Sequence, residues 1–336
     1  MRIAVCYNQT PDTVKHGDAC DLIADAGSCD QAKAVFQALI TLNYQPELVA
    51  LGRDLAPFIE QLRQLQPSLV FNLCEGFWGD ARQEMHVAGL YELLRLPYTG
   101  SRPLCLGLSQ DKLRTKALLQ HKGLPTPAFA LAKLDEKFNL PDTVNFPLIV
   151  KPPYEDASQG ISCDSVVENR RALLKRISYI HEIYQQPALV EEYIPGRELN
   201  VAILGSSKPQ VLPLSEITFA PELARAIVCF DSKWSPESAA YRGTNPVCPA
   251  QLNPKDRLLI NMIATRAYQL LGCRDYARVD IRLNNHTPYI LEVNANPDIS
   301  PDAGLARSAM STGLSYPQLI ELIVKDAMRR KEHLHA

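Results

Sequence analysis

The sequence has no strong excess of either charge and no long apolar run. Its 336 residues carry a formal net charge of -2, so the overall charge favours neither nucleic acid nor an anionic membrane as a partner. No apolar run is long enough to cross a bilayer, and none follows the N-terminus as in a signal peptide. The nine cysteines form no CxxC pair. We therefore expect reduced, mostly buried thiols and a cytoplasmic protein.

The chain contains neither the P-loop motif GxxxxGK[ST] nor the dinucleotide-binding motif GxGxxG. Hydrophobic residues make up 46% of the chain, as in ordinary soluble globular proteins. The length favours about two or three domains. No internal repeat or low-complexity tract is found.

Strand-like and helix-like segments alternate over the first hundred residues, which predicts a parallel sheet with helices on its faces. Helices are predicted over 54–65, 82–95 and 28–42, the last with Ser28 as N-cap. Strands are predicted over 3–7, 46–51 and 68–73. Ligands of such sheets bind at the carboxyl ends of strands. The residues at those ends are Asn8, Gln9, Asn72, Cys74 and Glu75.

The rest of the chain mixes helices and strands around one long polar segment, 220–250. A loop of that length is typically a functional lid or disordered. Asn253 as N-cap, Pro254 in the first turn and Gly272 as the stop define one helix clearly. Predicted helices cover 104–121, 168–185, 253–272 and about 316–330, and predicted strands cover 146–152, 188–196, 198–204 and 210–217.

The last two predicted strands, 275–283 and 289–294, form an antiparallel hairpin. Side chains alternate along a strand, so Glu292 and Asn294 share one face. An odd number of connecting residues would bring Asp280 opposite Glu292, which is destabilising unless a cation lies between them. Their oxygen donors suit Mg²⁺ or Mn²⁺. The alternative is that Asp280 pairs with a neighbouring arginine on an exposed sheet face.

Lysines at the ends of predicted elements suggest a triphosphate site. Lys151 precedes the Gly-containing loop 155–162, whose backbone N–H groups could bind phosphate, and Lys112 stands in a helix. The strand end 191–194 (EEYI) offers apolar side chains and backbone groups for an adenine ring. Each feature alone has an ordinary alternative, a solvated lysine or a strand end leading into a turn. The ordered set favours a nucleotide site.

From about residue 67 to 325 the sequence resembles the D-alanine–D-alanine ligase family of ATP-grasp enzymes. The resemblance covers about three quarters of the chain and rests on an ordered series of short motifs. These motifs are LPYTGS, LSQDKLRTK, GLPTPAF, FPLIVKP, LVEEYIPGRELNVAILG, ARVDIRL and YILEVNANP.

The resemblance implies an α/β fold in which a Rossmann-like parallel-sheet domain (1–103) precedes a two-subdomain ATP-grasp fold with antiparallel sheets. The central subdomain would cover 104–195. The C-terminal subdomain, 196–336, would hold the metal site and the lid 220–250. A substrate carboxylate would attack ATP, and an amine would then attack the acyl phosphate to form an amide. The partners are therefore small-molecule carboxylates and amines, with no nucleic acid or membrane, and a homodimer is expected from the family.

The same resemblance assigns roles to individual residues. By the resemblance, the ATP-binding residues are Lys112, Lys151, Ser158, Glu191, Glu192, Tyr193, Ile194, Glu198 and Lys233. The ligands of two Mg²⁺ ions, which Mn²⁺ could replace, would be Asp280, Glu292 and Asn294. The catalytic residues would be Arg278 and Lys233.

The sequence departs from the family at the amino-acid site. The segment 6–20 lacks the family's Gly-Gly-Xaa-Ser-Xaa-Glu pattern, whose glutamate binds an ammonium. Ala157 replaces a serine, Trp234 a tyrosine, Asp298 a glycine and Ala303 a serine. Asp298 would repel a carboxylate and attract an amine or hydroxyl, unless it is simply a solvated loop residue.

The departures predict a ligase that acts on another amino acid, a dipeptide or a small acid, with Glu75, Trp234 and Asp298 as candidate substrate residues. One alternative is a genuine D-alanine–D-alanine ligase of cell-wall synthesis. The other is a non-catalytic nucleotide-binding protein. That last reading predicts loss of Arg278 or the metal ligands, which are all present.

Overall fold

The computed structural model describes residues 1–10 and 17–334, and its first part is a three-stranded parallel sheet with the order β2-β1-β3. The predicted alternation of strands and helices is confirmed. The strands are β1 (Arg2–Asn8), β2 (Gln45–Leu51) and β3 (Leu69–Leu73). The helices are α1 (Leu22–Thr41), α2 (Leu55–Leu65) and α3 (Glu84–Leu93).

Helix α1 begins earlier than predicted. Its N-cap position is occupied by Asp21 rather than Ser28, which lies buried inside the helix. The predicted start was wrong because Gly27 is a poor helix former and suggests a boundary. Packing of the helix against β1 and β2 overrides that local preference. Residues 11–16 of the segment 6–20 lie outside the described residues.

The central part is built on a four-stranded antiparallel sheet with the order β4-β7-β5-β6. The helix predicted over 104–121 is two helices, because the chain breaks at Asp111, whose side chain caps the second by accepting from Arg114 N (2.9 Å). The elements are α4 (Pro103–Gln110), α5 (Lys112–His121), β4 (Phe129–Ala132), β5 (Leu148–Lys151), β6 (Val166–Val167), α6 (Arg170–Tyr179) and β7 (Ala188–Glu192).

The C-terminal part is a larger antiparallel sheet with the order β11-β10-β8-β12-β13, and β9 pairs with β8. Within the predicted loop 220–250 the chain forms two short helices and β11. Helix α9 has the predicted Asn253 cap and ends at Gly272 in the left-handed conformation. The strands are β8 (Arg197–Leu204), β9 (Gln210–Val211), β10 (Ser215–Phe219), β11 (Thr244–Val247), β12 (Tyr276–Asn284) and β13 (Thr287–Asn294). The helices are α7 (Phe230–Trp234), α8 (Ala239–Arg242), α9 (Pro254–Leu271), α10 (Gly304–Met310) and α11 (Tyr316–Leu334).

The first and last parts of the chain share their hydrophobic cores, whereas the central sheet has its own. Val70 of β3 and Val201 of β8 belong to one buried cluster, and Val150 and Val190 belong to another. Leu119 of α5 contributes to the shared core. The domain boundaries at 103 and 195 stay predictions. No helix among the described residues has the length and apolarity needed to cross a membrane.

Gly196, in the turn between β7 and β8, lies in close contact with the backbone of β12 at the point where the central sheet meets the C-terminal sheet. It has a φ of +119°, and an added Cβ would overlap the carbonyl oxygen of Leu283. Gly196→Ala should therefore destabilise the protein by about 2 kcal/mol or more beyond the cost of a left-handed alanine. Gly123→Ala is the control, because Gly123 has a φ of +66° and nothing within 4 Å of an added Cβ. Equal losses in urea denaturation would contradict the clash.

Candidate active site

The residues predicted from sequence line one cleft of ≈ 1580 Å³ between the central and C-terminal sheets. The structure thus brings the whole set together, although lining a cleft assigns no role. The residues are Glu75, Lys112, Lys151, Ser158, Glu191, Glu192, Tyr193, Ile194, Glu198, Lys233, Trp234, Arg278, Asp280, Glu292, Asn294 and Asp298.

A row of polar side chains crosses the C-terminal sheet at the base of the cleft. Asp280 of β12 lies opposite Asn200 of β8 on one side and Glu292 of β13 on the other. The predicted pairing of Asp280 with Glu292 is confirmed, but an odd connection does not produce it. The turn contains two residues, Asn285 and His286, both with positive φ as in a tight hairpin. A bulge after Asp280 then shifts the register by one residue.

Asp280 is buried rather than exposed, and its carboxylate is fully engaged. Arg278 donates to both of its oxygens (2.8 and 2.9 Å), Asn200 Nδ2 donates to Oδ1 (2.7 Å), and Asn294 Nδ2 donates to Oδ2 (3.0 Å). The expected alternative, a pair with a neighbouring arginine, is therefore present, but inside the cleft. Asn200 was not predicted from the sequence, although its two-residue spacing from Glu198 could have indicated it.

Glu292 lies at the centre of the positive charge in the cleft. Its carboxylate is 3.9 Å from the ammonium of Lys112. Burial alone would raise the pKa of this carboxyl, but the charges of four cationic side chains outweigh burial and lower the pKa to about 2. These side chains are Lys112, Lys151, Arg278 and Lys233. Such an excess of cations around one anion suits a polyanionic ligand.

Two carboxylates and an amide form the candidate metal site. Among the residues that the structure describes, no group of three or more His, Cys, Asp or Glu side chains could hold a metal ion alone. Mg²⁺ needs few protein ligands where phosphates supply the others, so Asp280, Glu292 and Asn294 fit that ion. The amide nitrogen of Asn294 faces both carboxylates (3.0 and 3.4 Å). A half-turn of this amide would present its oxygen instead.

A buried ionic cluster that was not predicted from the sequence holds Lys151 in place. Glu191 forms ion pairs with Lys151 (2.9 Å) and with Lys116 (3.0 Å). Lys116 follows Lys112 by four residues on α5 and so shares its face, a spacing that could have indicated it. The Glu191 side chain is committed to these lysines, so only the backbone of this residue remains for an adenine ring.

The other predicted nucleotide residues are held by local contacts. Glu192 accepts from the backbone and side chain of Asn145 (2.9 and 3.1 Å), and Tyr193 donates to Ala226 O (3.2 Å). Glu198 pairs with Arg282 (2.7 Å) in the next row of the sheet. Burial raises the pKa of Glu198, although Arg282 opposes it.

The segment 220–250 covers the cleft and contacts the loop after Lys151. Ser158 donates to Val228 O (3.2 Å), and Trp234 Nε1 donates to Ala157 O (3.0 Å). Ala157 and Ser158 both have positive φ, so this loop is bent sharply beneath the lid. Lys233 is exposed overall, but burial of its ammonium end and the charge of Arg278 lower its pKa.

The far end of the cleft holds the remaining candidates. Asn8 accepts from Glu75 N (2.7 Å) and donates to Gly76 O (2.8 Å), so the ends of β1 and β3 meet as predicted. Asp298 is exposed to the cleft and accepts from Gln31 of α1 (3.1 Å). It is therefore anchored rather than freely solvated.

Comparisons with known proteins agree on one family. The model of the D-ala D-ala ligase C-terminus matches residues 118–325. The chain is 35% identical over 305 residues to the uncharacterized protein y4sG of Sinorhizobium fredii, which covers 89% of this chain and 88% of that one. It is 31% identical to the D-alanine–D-alanine ligase of Desulforudis audaxviator, over 90% of this chain and 94% of that one. The ATP complex of the Bacillus anthracis D-alanine–D-alanine ligase has the same fold, with a TM-score of 0.79, 23% identity and 99% of both chains covered.

Glu191→Gln is expected to destabilise the protein far more than Lys116→Met. The first change leaves two buried ammonium groups facing a neutral amide, and breaking a buried pair in this way costs about 3–5 kcal/mol. The second change removes one cation and leaves Glu191 paired with Lys151. Urea denaturation at pH 7 measures both losses, and losses of equal size would argue against a shared anion.

The contribution of Lys116 to the stability of the protein should rise between about pH 8 and pH 10.5. Burial and the charge of Lys151 lower the pKa of Lys116 from 10.5 to about 8, even though Glu191 opposes this. In that window the unfolded chain holds a proton that the folded protein has released, so higher pH favours folding. Lys116→Met should lose this rise, whereas Lys133→Met, at an exposed lysine, should keep it. Parallel profiles for all three proteins would refute the assignment.

Proposed function

Because this chain belongs to the D-alanine–D-alanine ligase family of ATP-grasp enzymes, which form C–N bonds at the expense of ATP, we propose that it joins a small carboxylate to an amine through an acyl phosphate. Enzymes of this family use ATP and Mg²⁺. The observation that carries the proposal is the convergence of four cationic side chains on Glu292, beside Asp280 and Asn294.

In this proposal Lys112 and Lys151 bind phosphate oxygens, and Lys233 closes over them from the lid. The backbone of 191–194 receives the adenine, and Glu198 binds the ribose hydroxyls. Arg278 stabilises the negative charge that develops when the bond to phosphorus breaks. Because these groups are already oriented, they act by positioning and electrostatics.

Asp280, Glu292 and Asn294 would hold two Mg²⁺ ions, and Mn²⁺ would be an acceptable substitute. The bound ions would neutralise phosphate charge during transfer. Their removal would leave Asp280 paired with Arg278, as in the described contacts. The lid excludes water, which protects the acyl phosphate from hydrolysis. The homodimer expected from the family stays a prediction.

We further propose that the amino-acid site accepts substrates other than two D-alanines. Supporting this are Trp234, which donates to the backbone of Ala157 where the family has a tyrosine and a serine, and Asp298 at the far end of the cleft. The second candidate is a genuine D-alanine–D-alanine ligase, which the names of several relatives about 30% identical favour.

The deciding experiment measures ADP release with Mg²⁺-ATP over a panel of D- and L-amino acids, dipeptides and small acids, with mass detection of products. Turnover of D-alanine alone would support the second candidate. Turnover of another pair would support altered substrates. Absence of Mg²⁺-ATP binding would refute both.

Glu292→Gln is expected to lower the rate of ADP release by about 100-fold or more, the effect of losing one preorganised electrostatic contact. Chelation of divalent ions should abolish the release by the unaltered protein. Glu321→Gln removes a carboxylate of α11 outside the cleft and should have no effect. Retained activity in Glu292→Gln would exclude this residue as a metal ligand.

A further inference from the structure

Helix α1 presents to the cleft a face that the proposed ATP chemistry does not use. Ser28 and Gln31 line the cleft and are only 7% and 3% exposed. They lie three residues apart on the helix and therefore share one face. An added Cβ on the adjacent Gly27 would lie 3.7 Å from the ring of Trp234. This face of α1 is thus the floor of the far end of the cleft, beneath the lid.

The hydroxyl of Ser28 has no hydrogen-bond partner among the described residues. A buried polar group in this state costs about 1–3 kcal/mol, and folded proteins leave few of them. A serine inside a helix can bond to the carbonyl four residues earlier, but Ser28 does not do so. A ligand group in the cleft would satisfy it once the side chain turns its hydroxyl toward the cleft.

Asp298 faces the same floor and is anchored through one oxygen. Oδ1 accepts from Gln31 Nε2 (3.1 Å), Ser300 N (2.8 Å) and Ser300 Oγ (2.7 Å). No hydrogen bond from the described residues reaches Oδ2. A carboxylate oxygen held in place without a donor is itself a binding group for one.

Two arginines line the cleft with Asp298, and neither forms an ion pair with it among the described residues. Arg278 interacts with it at longer range, but its Nε and Nη2 groups engage Asp280. Arg307 also lines the cleft, and its guanidinium donates to the carbonyl oxygen of Asp302 (2.5 Å). A substrate carboxylate placed directly against Asp298 would therefore meet a like charge that no ion pair among the described residues neutralises.

We propose that Ser28 and Asp298 form a subsite of the amine substrate that receives a hydrogen-bond donor, an ammonium or a hydroxyl, where an amino acid carries its carboxylate. This inference rests on the proposed ligase function and names the class of its second substrate. Gln31 positions Asp298 rather than touching the substrate.

Three amines that share one carbon skeleton test the subsite: D-alanine, D-alaninol and 1,2-diaminopropane. Their binding to the full chain is measured by calorimetry with Mg²⁺ and a non-hydrolysable ATP analogue, which removes any need to know the carboxylate substrate. The diamine and the amino alcohol should bind about tenfold more tightly than D-alanine, as expected for one hydrogen bond to a charged group. A preference between those two identifies the donor as ammonium or hydroxyl.

Variants connect the preference to the named residues. Asp298→Asn should abolish the preference, and Ser28→Ala should weaken the two donor-bearing amines several-fold while D-alanine changes little. Ser215→Ala is the matched control, since Ser215 is a fully buried serine whose hydroxyl also has no partner among the described residues, and it does not line the cleft. This control should keep the wild-type preference.

The outcomes separate this inference from the proposed function. D-alanine binding as tightly as the other amines, an unchanged preference in Asp298→Asn, or no amine binding to a nucleotide-loaded protein would overturn the subsite alone. Failure of the ATP analogue to bind would overturn the ligase function and the subsite together.

Discussion

Two carboxylates that face each other on neighbouring strands are the constraint on which the rest of the site depends. Asp280 and Glu292 are held opposite each other by the register of β12 and β13, and like charges so opposed are destabilising. The cations that compensate come from different elements, namely Lys112 of α5, Lys151 of β5, Lys233 of α7 and Arg278 of β12. The same charges that stabilise the carboxylates therefore attract the central sheet and the lid toward the C-terminal sheet. A polyanion entering the cleft would bind cations that are already held there by the charges of Asp280 and Glu292.

The buried cluster around Glu191 extends this coupling behind the cleft. Lys116 lies on α5, which packs into the core shared by the first and last parts of the chain, whereas Glu191 and Lys151 belong to the central sheet. The carboxylate of Glu191 on β7 thus connects α5, which packs into the shared core, to Lys151 on β5 of the central sheet. Because two lysines share it, removal of either cation leaves a balanced pair, and removal of the anion leaves neither balanced.

The sequence predicted the parts of this arrangement that depend on local patterns. Alternation along β13 placed Glu292 and Asn294 on one face, but the pairing of Asp280 with Glu292 was expected from an odd connection. The bulge that produces this pairing instead was not visible, since Leu291 fits the apolar pattern either way. Lys116 was missed because its partner lies 75 residues away on another element. The start of α1 was misread because packing, not capping residues near Gly27, determines it. Contacts between distant segments leave no periodic signal in a single sequence.

The two ends of the cleft are built differently. This explains why family membership supports the ATP-dependent chemistry better than it identifies the amine substrate. Asp280, Glu292 and Glu198 lie on paired strands, where the hydrogen-bond ladder fixes each side chain relative to its neighbours. The far end is assembled from α1, the lid and the loop after β13, three separate segments without a common ladder. Segments of this kind change sequence without disturbing the sheets and so carry specificity. The matched range 118–325 contains the strands of the first end but not α1. Of the three far-end segments, the lid and the loop after β13 lie inside that range and only α1, with Ser28, lies outside it. Similarity over the range therefore supports the ATP-dependent chemistry but leaves the α1 face of the proposed subsite untested.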